Sequence, residues 1–482
     1  MQHCSVVIIC PIILAISMNL LFPLSNSSLA AKQGENDYYL YEASQSKNLA
    51  SHSNFSSPQT NTEFPSIQLG NVTNLTNNPN DSVYGQVAAS DNKVFIIWEE
   101  SVPNTSGDNV NYDIFIKRSD DRGNTFENNS QTNISNNFGF SEHPQIALSN
   151  STVYAVWTDN TFGDREILFT RSLDSGATFD RGEKVKNLSN SSGDSYNQEI
   201  AAVEDSIYVV WHEKDADGNN SLLLRASEDR GNTFGDTITI AKGNSVDENS
   251  FPKIAASQNH AYVTWSVVPA AKLNSQLNPS EQAAGVFFSK SSDSGKTFSD
   301  SIMQLSAEAK DVGETQVAAY NDSVHIVWGG LKPAEVKNLH YTISNNRGNS
   351  FANTIEIKND SFVNPLNVEL AVVPQNNASD VGRSHPDSNY NQQGEFHNDY
   401  RLYVAGEAWS LGNDEIFLLS GIENTNTTNN TIGKNAVINL SNNSGTSECP
   451  SISISGNNIF VVWEDSSAGN HEIYFIKGTI KE

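Results

Sequence analysis

From about residue 82 onward the chain repeats one hydrophobic pattern. A short apolar run rich in valine, isoleucine and tyrosine ends at or near a tryptophan: VFIIW at Trp98, VYAVW at Trp157, IYVVW at Trp211, AYVTW at Trp265, VHIVW at Trp328, LYVAGEAW at Trp409 and IFVVW at Trp463. These are all seven tryptophans, separated by 54 to 63 residues except for one gap of 81. Another apolar segment precedes each run and a third follows it, with Asn, Gly, Asp and Ser between. Short β-branched and aromatic segments bounded by such turn formers are strands, and no sustained helical period follows the N-terminal segment. The second repeat gives the unit: strand A at Pro144–Leu148, strand B at Thr152–Asp159, strand C at Glu166–Ser172 and strand D within Glu183–Ser189. One tryptophan per repeat at a fixed strand position predicts packing between repeats, in preference to a sugar-stacking stripe.

The connection from C to D carries a second repeat, Ser-x-Asp-x-Gly-x-Thr-Phe. Its key residues are Ser119, Asp121, Gly123, Thr125 and Phe126; Ser172, Asp174, Gly176, Thr178 and Phe179; Ser227, Asp229, Gly231, Thr233 and Phe234; and Ser291, Asp293, Gly295, Thr297 and Phe298. A degraded copy, SNNRGNSF, spans Ser344–Phe351. The Asp accepts backbone N–H groups that a tight turn leaves unpaired, the Gly takes a positive φ, the Thr is expected to start the next strand, and the Phe plugs the turn into the core. This pattern resembles the Asp-box, or bacterial neuraminidase repeat, of sialidase-like β-propellers.

The expected fold is all-β: a seven-bladed propeller of four-stranded antiparallel blades over residues 63–482. Repeats of this length suit four strands with generous loops. The last repeat has strands A (Ser451–Ser455), B (Ile459–Asp465) and C (Glu472–Lys477) but no D, and Pro65–Thr76 resembles the D segments. An N-terminal strand completing the last blade would close the ring and protect its edges. The sixth repeat leaves six or eight blades as alternatives, because Gly421–Asn430 replaces the Asp-box and a polar insertion occupies Gln375–Arg401.

Ahead of the repeats, Val6–Leu24 is apolar and is followed by small polar residues and a cleavage position after Ala30, as in a secretory signal peptide over residues 1–30. About 18 apolar residues also suffice for an uncleaved membrane anchor, and both readings place the protein outside the cytoplasm, secreted or at the cell surface. Residues 31–62 are polar and weakly patterned, as in a flexible spacer. With Cys4 and Cys10 in the leader, the mature chain keeps only Cys449, which excludes an internal disulfide framework and predicts a buried structural thiol. Asn-x-Ser/Thr triplets at Asn71, Asn74, Asn187, Asn219, Asn321 and Asn439 suit a glycoprotein. The net charge of −27 excludes nucleic acid and anionic membrane surfaces as partners, since both require clustered Lys and Arg; oligomeric state is not legible.

In a propeller of this kind the D-to-A and B-to-C loops surround the mouth of the central channel, so the Asp-boxes on the opposite face are scaffold. The residues entering strand A are then the candidate ligand-binding ring: Tyr84, His143, Asn197, Phe251, Glu314 and Cys449, with Glu142, Tyr196 and Glu448 one position earlier. The insertion Val267–Gly285, with Pro269, Lys272, Pro279 and Glu281, would overhang that mouth. The resemblance to sialidases implies three arginines for the substrate carboxylate, a Tyr nucleophile with a Glu partner and an Asp acid/base. The first arginine belongs to a Phe-Arg-Ile-Pro motif, yet Phe64-Pro65-Ser66-Ile67 has none. Arg122, Arg230 and Arg347 lie in the boxes, Arg118, Arg171 and Arg225 end C strands, and Arg383 and Arg401 bracket the insertion, which leaves Arg165 alone on the channel side. Glu99, Glu100, Asp159, Glu213, Glu464 and Asp465 follow strand-B tryptophans, a recurrence that points to structure and not to a catalytic pair. Asp215-Ala-Asp217-Gly-Asn219 opens like a calcium loop without its later ligands, and His385 and His397 lack a zinc spacing. No catalytic residue, metal or cofactor is nominated. The reading is a binding module for a glycan or an extracellular protein, with a sialidase-like exo-glycoside hydrolase as the alternative.

Overall fold

The structure, a computed structural model, describes residues 66–103, 110–126, 131–248, 250–267, 285–306, 313–329, 339–357, 366–374, 400–410, 413–422 and 436–481. The expected leader and spacer, the body of the 267–285 insertion, and Arg383, His385 and His397 lie outside these residues. The chain begins with β1 (Ile67–Leu69) and β2 (Thr73–Asn74). Blade 1 is β3 (Ser82–Ser90), β4 (Lys93–Pro103), β5 (Val110–Ser119) and β6 (Thr132–Asn133); blade 2 is β7 (Ser141–Ser149), β8 (Thr152–Asp159), β9 (Glu166–Ser172) and β10 (Lys186–Asn187). Blade 3 is β11 (Asp194–Val203), β12 (Ser206–Lys214), β13 (Asn220–Ser227) and β14 (Ile238–Lys242); blade 4 is β15 (Lys253–Ser257), β16 (His260–Val267), β17 (Gly285–Ser291) and β18 (Met303–Gln304). Blade 5 is β19 (Thr315–Tyr320), β20 (Ser323–Trp328), β21 (Leu339–Ser344) and β22 (Ile355–Ile357); blade 6 is β23 (Leu366–Pro374), β24 (Tyr400–Ser410), β25 (Asn413–Ile422) and β26 (Ala436–Asn439). Blade 7 is β27 (Ser447–Ser455), β28 (Asn458–Asp465) and β29 (Glu472–Ile480), whose outer edge pairs with β1 (Ile67 opposite Ile480) and β2 (Thr73 opposite Phe475). All seven sheets are antiparallel, so this is a seven-bladed propeller.

Hydrophobic burial closes the circle. Seven apolar clusters lie one at each junction between neighbouring blades: Phe95 and Ile97 of blade 1 pack with Val153 and Trp157 of blade 2, and the last cluster joins Phe460 and Phe475 of blade 7 to Val94 and Trp98 of blade 1. Trp98, Trp157, Trp211, Trp265 and Trp463 are wholly buried, and Trp328 nearly so. Each such indole removes roughly 150–250 Å² from water, about 4–6 kcal/mol at 25 cal/mol per Å². Trp409 departs from the pattern. The pairing of Glu369 with Ala405 puts Gly406, and not Trp409, at the shared register position.

The recurring turns have one hydrogen-bond scheme. Ser119 Oγ donates to Asp121 Oδ1 (2.8 Å) and accepts the Gly123 N–H (2.9 Å); Asp121 accepts the Thr125 N–H (2.9 Å) and hydroxyl (2.7 Å). The same bonds recur around Asp174, Asp229 and Asp293. Bonds from Thr125 and Thr178 hold the Asp121 and Asp174 carboxyls down at about 2. In the degraded copy the Asn346 amide replaces the carboxylate, accepting the Ser350 N–H and donating to its hydroxyl. The Thr therefore closes the turn, and does not start strand D; β6 begins only at Thr132. The Phe inserts against the preceding blade, Phe126 meeting Phe475 edge-on at 5.1 Å.

Strand D carries a motif that overlaps the glycosylation signals. In Asn74-Leu75-Thr76, Asn133-Ile134-Ser135, Asn187-Leu188-Ser189 and Asn439-Leu440-Ser441, the Asn side chain accepts the N–H three residues on and the middle residue is buried. The hydroxyl donates to a carboxylate among the first four residues of strand C: Glu472, Asp113, Glu166 and Glu415 respectively. The recurrence of these triplets follows from strand geometry.

Candidate functional site

The ring read from the sequence occupies one register layer. Strand A bulges in blades 1, 2, 3, 6 and 7, and the displaced residue is left-handed: Tyr84 (φ 54), His143 (φ 54), Asn197 (φ 54), Asn367 (φ 45) and Cys449 (φ 52). Such bulges re-aim side chains at the rims of sheets. Phe251 and Glu314 precede β15 and β19 at the matching position without the left-handed turn. Asn367 completes the seven and escaped the sequence reading because the 375–401 insertion and the displaced Trp409 break the 14-residue spacing between ring position and tryptophan that the other six repeats keep. Cys449, expected in the core, is half-buried at this rim.

At three of these bulges the preceding blade satisfies the displaced residue's backbone N–H. The residue after the strand-B tryptophan supplies a carboxylate at three places: Glu464 accepts the Tyr84 N–H (3.5 Å), Glu99 the His143 N–H (3.0 Å) and, in the shifted register of blade 6, Glu407 the Cys449 N–H (3.4 Å). The carboxylate two residues after the tryptophan has a different task. Glu100, Asp159, Glu213 and Asp465 accept the indole N–H of their own tryptophans at 3.0–3.2 Å. Asp159, Glu213 and Asp465 also take the hydroxyl of a serine opening strand A. These four are structural.

The mouth is acidic. Glu142 and Glu448 flank the bulges beside Glu99 and Glu407, and Glu464 pairs with His471 (2.6 Å). Burial, then the charges of Glu142 and Glu464, push the Glu99 carboxyl well up, opposed by the His143 N–H. Glu407, Asp414 and Glu448 bring carboxylate oxygens within 4.8 Å of one another. Burial and then Asp414 push Glu407 up to about 8, while burial and then Glu415 push Asp414 up to about 6. Native protein thus binds protons that unfolded carboxyls have released, so this cluster's contribution to stability declines as pH rises from about 5 through 8. Glu407→Gln, which preserves an acceptor for Asn367 and Cys449, is expected to raise the melting temperature at pH 8 and to leave it little changed at pH 5. Differential scanning calorimetry at both pH values checks this.

Two residues deeper, equivalent strand-A positions form a polar belt across the channel. Gln145 donates to Glu199 (3.4 Å), Lys253 reaches Glu199 (2.6 Å) and Glu369 (3.6 Å), and Gln316 donates to Glu369 (2.8 Å). Glu314 sits over this belt, its carboxyl raised by burial and lowered by Lys253. The Lys253 ammonium is held charged by Glu199 and Glu369 against the cost of its burial. On the blade 2–3 side, Tyr196 lies 4.6 Å from the His212 ring, Arg165 stacks on Tyr196 at 4.9 Å, and Arg165 pairs with Asp194 (3.4 Å). The buried His212 ring is pushed down to about 4 and is neutral.

Five other arginines point elsewhere. Arg118 donates to the Ser175 carbonyl, Arg171 to that of Arg230 and Arg225 to that of Leu188, clamping adjacent blades together. Arg230 and Arg347 pair with Asp205 and Asp322 on the outer turns. The calcium-like loop is closed on itself, Asp215 Oδ1 accepting the Asp217 N–H (3.0 Å) and Asn219 N–H (2.8 Å).

No protein-family model and no curated protein matches this sequence. Among solved structures the chain is similar to Trypanosoma rangeli sialidase in complex with sialic acid, at 12% identity and TM-score 0.46 over 82% of this chain and 54% of that one. It is similar to phage phi92 endosialidase at 9% identity and TM-score 0.48, covering 86% and 69% of the two chains. A third is Hadza microbial sialidase Hz136, at 11% identity, TM-score 0.41 and coverage of 82% and 74%. The chain spans about half the length of the Trypanosoma rangeli sialidase.

Proposed function

We propose that this chain is an exported Asp-box propeller acting as a binding module, with a glycan or an extracellular protein docking at the channel mouth over Tyr84, Glu142, His143, Tyr196, Asn197, Phe251, Glu314 and Glu448. The observation that carries this reading is the charge of the opening. Glu99, Glu142, Glu314, Glu407, Glu448 and Glu464 gather there, while the arginines described above are bound to carbonyls or carboxylates of the scaffold. Bidentate capture of an anionic sugar requires free guanidiniums, so the mouth suits uncharged or cationic ligands. The apolar leader at Val6–Leu24 supports export to the cell surface or medium.

A glycoside hydrolase is the second reading, favoured by one observation. Glu407 keeps its proton near neutrality beside Glu448, as a general acid must. Against it, Glu407 and Glu448 are 5% and 2% exposed, with little surface for a sugar to reach. A glycan array and a panel of chromogenic glycosides separate the two. The expected result is binding without turnover, with binding weakened roughly tenfold by Glu142→Gln or Glu314→Gln. Turnover abolished by either substitution overturns the binding-module reading.

A further inference from the structure

Blade 2 carries an aromatic patch that its fold does not require. The D-to-A loop entering blade 2 (residues 137–140) and its B-to-C loop (160–165) are bonded to each other. Asn137 donates to Asp159 (2.7 Å), Gly139 N–H to Asn137 (2.9 Å), Phe140 N–H to the Asn160 side chain (2.7 Å), Asn160 N–H to the Phe140 carbonyl (3.2 Å) and Thr161 N–H to Asp159 (2.9 Å). Blade 7 repeats every one of these bonds with Asn443, Gly445, Thr446, Ser466, Ser467 and Asp465. Blade 1 repeats the first loop, Asn80 N–H to Asn78 and Asp81 N–H to Ser101. The scaffold is the same, but its outward positions differ. Where blade 7 has Ser444, Thr446 and Ala468, and blade 1 has Pro79 and Asp81, blade 2 has Phe138, Phe140 and Phe162.

These three rings are 85%, 40% and 67% exposed, half of the six large hydrophobic residues exposed among the described residues. Adjacent exposed aromatics held on rigid loops mark an interaction surface. Tyr112 extends the patch toward the mouth, 6.1 Å from Phe140, and its hydroxyl lies in the field of Glu99, Asp81 and Glu142. Asp164 is exposed on the same loop, and Arg165 at its end is paired with Asp194. The patch is thus aromatic at its centre and acidic at its rim. Phenylalanine offers no hydrogen-bonding edge for sugar hydroxyls, whereas its face attracts cations and its body anchors apolar side chains. A chain of net charge −27 repels a second copy of itself.

We infer that Phe138, Phe140 and Phe162 dock a protein partner through a basic segment whose apolar side chains meet the rings and whose Lys or Arg residues meet Glu142, Asp81 and Asp164. This rests on the binding-module reading and gives it a partner class. The test compares the full chain with the triple variant Phe138→Ser, Phe140→Thr, Phe162→Ala, which installs the residues that blade 7 tolerates and is expected to melt at the same temperature. The probe is a fluorescein-labelled peptide of alternating Lys and Leu, with an alternating Glu and Leu peptide and a neutral glycan array as controls. The expected result is binding of the Lys-Leu peptide, weakened at least tenfold in the triple variant and by added salt. The inference is overturned by equal affinity in both proteins, by equal binding of the Glu-Leu peptide, by no peptide binding, or by a glycan being the ligand lost. A ligand lost in Glu314→Gln but retained by the triple variant overturns it while leaving the binding-module reading standing.

Discussion

Replacing Gly176 by alanine is expected to destabilise the propeller by about 2–5 kcal/mol, whereas the same change at Gly163 costs roughly 1 kcal/mol. Both glycines are left-handed, with φ of +78 and +113, so both substitutions carry backbone strain. Only one meets a wall. A Cβ on Gly176 would stand 2.4 Å from Cε1 of Phe95, and one on Gly163 meets nothing within 4 Å. Phe95 cannot yield, because it is 2% exposed within the cluster that joins blades 1 and 2. Two further turn glycines have the same relation to a ring of the preceding blade, Gly231 to Phe169 and Gly348 to Phe288. Urea unfolding of the two variants measures the difference. Equal costs would mean that the turn does not press on its neighbour and that the turn glycine is selected for its φ alone.

Deleting residues 1–76 is expected to have the largest effect of all, the loss of cooperative unfolding and of soluble monomer. The deletion removes β1, β2 and Leu75, which is 5% exposed in the cluster between blades 7 and 1. It also uncovers the edge of β29, leaving the carbonyls of Ile473 and Lys477 without the N–H groups of Leu75 and Gly70, each now 2.8 Å away. An unpaired edge of this kind recruits other chains. A peptide of residues 66–76 added in trans is expected to restore the melting transition by strand addition. A truncated protein that melts at the temperature of the full chain contradicts this account of how blade 7 is built.

The architecture was legible because each blade writes the same physics into the sequence. A buried indole needs an apolar strand around it, and a two-residue left-handed turn needs its Gly and its Asp. The site was legible only in part. The rim positions Tyr84, His143 and Asn197 could be placed by counting from strand A, but their bulged conformation could not, since Tyr disfavours a positive φ and the preference of His and Asn for one is too weak to mark a bulge. For Tyr84 and His143 the cause is tertiary: a carboxylate of the neighbouring blade, Glu464 and Glu99 respectively, satisfies the freed N–H. The channel belt was missed for a related reason. Lys253, Glu199 and Glu369 lie more than 50 residues apart in sequence and meet only when the ring closes. Trp409 misled by residue type, and only the strand pairing moved the repeat position to Gly406.

Residue-resolved hydrogen exchange at Gly70 and Leu75 shows whether the ring of seven blades is closed between its two ends. These amides donate to the Lys477 and Ile473 carbonyls across the closing sheet. Leu75 is expected to exchange as slowly as Ile134 and Leu188, which make the matching bond inside blades 1 and 2. Exchange of Leu75 at the rate of an unstructured peptide, with Ile134 and Leu188 still protected, would contradict closure of the ring.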